Sequence, residues 1–85
     1  MRVRVPSALH GYTAAAAVCA DGATLGAVLD DLDRRHPGLR FRIVDEQARI
    51  RRHIRLFIAG EQAHDLDRPV RDDEELIIVL ALSGG

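Results

Sequence analysis

Eighty-five residues with 12 basic and 13 acidic side chains carry a formal net charge of −1, and 47% of them are apolar. A chain of that size is expected to form one domain with one modest core, and its balanced charge argues against a nucleic-acid or membrane binder. A single cysteine, Cys19, excludes an internal disulfide and fits a reducing, cytoplasmic setting. Every basic residue is arginine, so lysine-linked chains of this protein with itself are excluded.

Arg2 and Arg4 ahead of Ala14–Cys19 have a faint likeness to a lipoprotein signal. Ser7, His10, Gly11 and Tyr12 break the apolar region, and Val18 stands where a small residue is wanted, so no signal is expected. No run approaches the ~20 apolar residues of a membrane span.

Arg2-Val3-Arg4-Val5 alternates polar and apolar, as a half-buried strand does. Pro6 and Gly11 bracket a turn region, and Tyr12 to Cys19 reads as a second strand. Asp21-Gly22 marks a turn. Thr24 is placed to cap a helix whose apolar stripe is Leu25, Val28, Leu29 and Leu32, at i, i+3, i+4 and i+7. Asp30 with Arg34, and Asp31 with Arg35, are i, i+4 pairs on its outer face. His36-Pro37-Gly38 ends it, because a residue before proline is pushed out of the α region. Leu39 to Ile43 alternates, and the charged stretch from Asp45 to Arg52 reads as a surface connection. Ile54 to Ala59 is a strand with apolar residues on both faces. Gly60-Glu61 opens a reversal, and Asp65 to Val70 suggests a short helical turn. Leu76 to Leu82 is an unbroken apolar run, the pattern of a mid-sheet strand buried on both faces.

The order is β, β, α, an irregular part, β, a short element, β. A hairpin of the first two strands, a helix laid across the sheet and a central last strand beside the first make a β-grasp, the ubiquitin-like architecture of the α+β class. The whole of 1–85 is expected to be one such domain with a mixed sheet and a flexible tail over 83–85.

The last strand runs into Ser83-Gly84-Gly85. Glycine has no Cβ, so such a stalk enters a narrow channel and adopts backbone angles other residues avoid. The expected working group is the Gly85 carboxylate. Three segments then carry a resemblance to the MoaD/ThiS sulfur-carrier family: Gly22 to Leu32, Ile54 to Glu61, and Asp72 to Gly85. Ala59 stands where that family often has asparagine, and Leu80-Ala81-Leu82-Ser83 replaces its commoner approach to the glycines. The charged segment Asp45 to His53 looks like a feature of the longer carriers, including those serving cysteine or molybdopterin synthesis.

The resemblance implies a protein co-substrate, not an enzyme by itself, although it could be the small subunit of a synthase complex. An ATP-dependent activating enzyme of the MoeB/ThiF type would adenylate Gly85. A sulfur donor would displace AMP to leave a thiocarboxylate, and a sulfur-accepting synthase would pass the sulfur to molybdopterin, cysteine, a thiazole or a specialised thio-metabolite. ATP and the sulfur donor are used by the partner; no bound cofactor or metal is expected. Ser83, Gly84 and Gly85 would enter the partner's site. Leu80, Leu82 and Phe57 would dock, with plain core packing as the alternative for the two leucines. The rival functions are a ubiquitin-like modifier joined to target lysines and a non-covalent binding module.

Other groups carry less. Cys19 is expected to be a buried strand residue. His10, His36, His53 and His64 lack metal-ligand spacing. Arg49, Arg51, Arg52 and Arg55 form the densest basic run, either a solvated face or a docking patch for an acidic partner, with too few aromatics for nucleic acid. Asp72 to Glu75 is a solvated turn or a patch for a basic partner, and Asp65 with Asp67 lacks the surroundings of a catalytic carboxylate pair.

Overall fold

The computed structural model describes residues 1–81; Leu82, Ser83, Gly84 and Gly85, with everything expected of them, lie outside the described residues. Five strands form one mixed sheet: β1 (Arg2–Arg4), β2 (Ala17–Cys19), β3 (Ile54–Ile58), β4 (Glu61–Ala63) and β5 (Glu75–Leu80), in the order β2-β1-β5-β3-β4. The helices are α1 (His10–Thr13), α2 (Leu25–Arg35) and α3 (Leu39–Ile43). The β-grasp layout expected from the element order is the one found. β5 is central, parallel to β1 and antiparallel to β3.

α2 forms as its sequence dictates. Thr24 has extended backbone and its hydroxyl accepts from the Ala27 amide at 3.2 Å, satisfying one donor that a helix start leaves free. Leu25, Val28, Leu29 and Leu32 are all fully buried against the sheet. The amides of Leu25 and Gly26 donate to the carbonyls of Arg68 and Leu66 at 2.9 and 2.8 Å. The segment expected to hold a short helical turn, Asp65 to Val70, makes a single turn, closed by the Arg68 amide on the Asp65 carbonyl at 3.1 Å, and then straps the start of α2. The Leu66 and Arg68 carbonyls are committed to the helix start, so the turn does not continue into a helix. A side chain on Gly26 would begin 3.2 Å from the Leu66 carbonyl, so glycine permits this close crossing.

Three expectations are corrected. Tyr12 and Thr13 belong to α1, and the strand begins only at Ala17. Ala14 sits at φ 56° and closes that turn, while the Thr13 hydroxyl donates to Ala15 O at 2.7 Å. Leu39–Ile43 is helical, not extended. Over five residues, spacing of two also places Leu39 and Ile43 one helical turn apart; both are buried, whereas Phe41 between them is 54% exposed with the Arg51 guanidinium 4.5 Å from its ring centre. Asp33 secures the start of α3 by accepting from the amides of Gly38 and Arg40.

The third correction concerns β5. It is central, as expected, but buried on one face only. Leu76 and Ile78 are in the core, while Ile77 and Val79 are 36% and 37% exposed. The helices cover one side of the sheet, so alternate residues of this apolar run face outward.

Candidate functional site: the open sheet face and the exit of β5

Cross-strand partners in register share a face. Arg4 lies opposite Ile77, Ile77 opposite Phe57, and Phe57 opposite Gln62. One row away, Arg55 lies opposite Val79. In the other direction Cys19, Arg2 and Glu75 form a row. The open face therefore has an apolar centre of Phe57, Ile77 and Val79, framed by Arg2, Arg4 and Arg55. Glu75 is the acidic member of that frame, 3.5 Å from Arg2 Nε and 3.1 Å from Arg4 Nε. This pairing holds both guanidinium groups along the sheet.

Cys19 is exposed, not buried. It stands on edge strand β2 at the outward position opposite Arg2, where no helix covers it.

β5 delivers the chain toward the expected tail. Leu80, half-buried, pairs with Ile54, and the Ala81 amide donates to His53 O at 2.8 Å. The backbone is thus held by the sheet up to Ala81. Of the expected docking residues, Phe57 is on the open face and Leu80 packs against the edge of the core.

The basic run does not act as one patch. Arg51 stacks on Phe41 and donates to its carbonyl at 2.7 Å. Arg49 lies 3.8 Å from Asp45. Arg55 donates to the carbonyls of Arg52 and Ile54. Where β4 ends, an open groove of about 920 Å³ separates this stretch from Asp65 and Asp67.

The perturbed carboxylates are structural. Asp31 is held down at about 2, first because it accepts from the Asp21 amide and then because Arg34 and Arg35 face it. Arg35 pairs with Asp31 as expected, but Arg34 also turns to Asp31, and Asp30 meets Arg40 instead. Asp45 is lowered chiefly by the Arg49 amide, and Asp73 by the Arg71 side chain. None of these groups lies on the open face. Among the described residues no cluster of ligating side chains could hold a metal ion, and no helix is long and apolar enough to cross a membrane.

A five-stranded mixed sheet crossed by one main helix, with its central strand leading to the last residues, defines a ubiquitin-like β-grasp protein. Residues 4–85 match the ThiS family model, and the chain belongs to that family, within the MoaD/ThiS group of ubiquitin-like sulfur carriers. It is 28% identical over 89 residues to the sulfur carrier protein CysO of Mycobacterium tuberculosis, a match covering 98% of this chain and 96% of the relative. The structure of the BexX/CysO complex of Amycolatopsis orientalis contains a chain 32% identical to this one, superposing with a TM-score of 0.89 over 99% of this chain and 98% of the other. SAMP1 of Haloferax volcanii, a small archaeal modifier protein, superposes with a TM-score of 0.77 at 29% identity, covering 99% and 97% of the two chains.

The geometry of the β3–β4 reversal accounts for the asparagine expected where Ala59 stands. β3 and β4 are joined by two residues, Ala59 and Gly60, both at positive φ (53° and 83°). Such a two-residue reversal favours asparagine then glycine, which is why asparagine suits the position that Ala59 occupies.

Proposed function

We propose that this chain is a sulfur carrier that works through the carboxylate of Gly85. The observation that carries the reading is a family match running through residue 85, on a fold whose central strand is held by hydrogen bonds as far as Ala81. Rigid globule and side-chain-free terminus suit a group that must be presented inside another protein's site.

The chemistry follows from the poor reactivity of a carboxylate. Attack of a Gly85 carboxylate oxygen on the α-phosphorus of ATP releases pyrophosphate and gives an acyl adenylate. A sulfur nucleophile from the donor then adds to the carbonyl carbon, the carbon–sulfur bond forms and AMP leaves. The thiocarboxylate sulfur is the nucleophile delivered to a small-molecule acceptor. Transition-state charge would be stabilised by the partner enzymes; this chain supplies the terminus and the surface that positions it.

That surface is the open face. Phe57, Ile77 and Val79 offer an apolar centre of the kind that becomes a buried anchor, and Arg4 and Arg55 flank it for an acidic rim on an activating enzyme. A relative seated with a protein partner, the CysO chain of the BexX/CysO complex, supports a protein as the occupant.

The test is incubation with ATP, sulfide and a MoeB/ThiF-type activating enzyme, followed by intact mass measurement. Replacement of oxygen by sulfur adds about 16 Da, and deletion of Gly85 abolishes the gain while leaving the fold intact. The likeness to SAMP1 favours one second reading, a modifier joined to lysines of other proteins. A carrier accumulates as free thiocarboxylate, a modifier as higher-mass adducts on other chains, and a non-covalent module keeps its activity without Gly85.

A further inference from the structure

The chain contains no lysine. In a protein whose own carbonyl is activated this has a chemical consequence, because primary amines capture acyl adenylates and thioesters as amides that do not revert. Within these 85 residues the other amine is that of Met1, and the fold closes it off. Met1 is 8% exposed, its nitrogen donates to Ala20 O at 2.9 Å, and its carbonyl accepts from the Ala20 amide at 3.0 Å. This pair of hydrogen bonds continues the β1–β2 ladder by one step, with Asp21 Oδ1 4.0 Å from the same nitrogen. Bound into a sheet ladder and almost fully covered, that nitrogen offers no approach path for an incoming carbonyl.

The other nitrogens do not substitute. Arginine stays protonated in proteins, and an acyl group on histidine is returned to water.

We infer that this chain donates its acyl group but cannot receive it: folded, it offers no nitrogen acceptor to its own activated terminus or to that of a second copy. The inference rests on the reading of Gly85 as the activated carbonyl. Amide formation would require an amine nitrogen to attack that carbonyl, form the carbon–nitrogen bond, expel the leaving group and lose a proton to solvent. The fold withholds the first participant. The exposed Cys19 thiol and the hydroxyl groups leave only thioester or ester self-adducts, which alkaline hydroxylamine cleaves.

The experiment needs no activating enzyme, so its failure and that of the sulfur-carrier reading are separate results. The 85-residue chain bearing Cys19→Ser is prepared with Gly85 as an aryl thioester, incubated concentrated in native buffer, quenched with alkaline hydroxylamine and weighed intact. The expected product is monomeric hydroxamate alone. The same chain with Arg42→Lys, an added amine at an exposed position, gives hydroxylamine-resistant dimers, and unfolding in guanidinium chloride gives the head-to-tail cyclic product through Met1. In parallel, an acetylating N-hydroxysuccinimide ester places no acetyl group on the folded Cys19→Ser chain and one on the unfolded chain. Resistant dimers or a cyclic product from the folded Cys19→Ser chain, acetylation of the folded chain as fast as the unfolded one, or no dimers with Arg42→Lys overturns the inference.

Discussion

The two faces of the sheet are built from the same strands and have opposite uses. On the inner face Val3, Leu56, Ile58 and Leu76 are fully buried against the stripe of α2. On the outer face their immediate neighbours Arg4, Arg55, Phe57 and Ile77 meet no helix. Because successive strand residues point to opposite sides, each short strand contributes to the core with one half of its residues and to the surface with the other. The difference teaches that apolar content and burial are separate matters here. Ile77 and Val79 are as apolar as their neighbours, yet the fold leaves them in reach of a partner.

The contrast breaks most sharply on the inner face. Leu29→Ala should cost about 2–5 kcal/mol, the range for removing a buried leucine side chain, measured by urea unfolding. Ile77→Asp should cost no more than about 1 kcal/mol of strand propensity. The same substitution should weaken binding to an activating enzyme by at least about tenfold, as loss of an interface anchor does, read by titration calorimetry. Equal destabilisation by the two changes would mean that the faces are not distinct.

At the β3–β4 reversal, Ala59→Asn should stabilise by about 0.5–1 kcal/mol, because alanine is strained at positive φ and asparagine much less so. A rise in thermal midpoint with unchanged partner binding is the expected result.

The smallest effect is on pH. Asp31 titrates at about 2 in the folded chain, below its ordinary 3.8. Its contribution to stability is complete above the ordinary value and is lost as pH falls through about 2. Asp31→Asn should therefore flatten the acid slope of stability between those two values, as followed by denaturant unfolding at stepped pH.

Much of this was legible in the residues. The stripe of α2, its Thr24 cap, the stop at His36-Pro37-Gly38 and the central place of β5 are carried by local spacing, which an eleven-residue helix and a long apolar run state clearly. Misreadings fell where the pattern was short or where distant residues decided. Leu39–Ile43 satisfies both a strand and a helix period. Asp65 to Val70 makes one turn and no more, because the Leu66 and Arg68 carbonyls serve the start of α2. Cys19 and β5 were misread for one shared reason: composition tells that a residue is apolar and not which side of a sheet receives a second layer.

The sequence by itself determined the first and last strands, the strand at Ile54, the one main helix and the Gly84-Gly85 pair, since each depends on neighbours a few positions apart. Only the tertiary structure decided that the sheet is covered on a single side, that Phe57, Ile77 and Val79 share the uncovered one, and that the Met1 nitrogen is closed into the β1–β2 ladder. Those facts depend on contacts between segments as distant as residues 4 and 77, and such contacts exist only once strand register is set by burial.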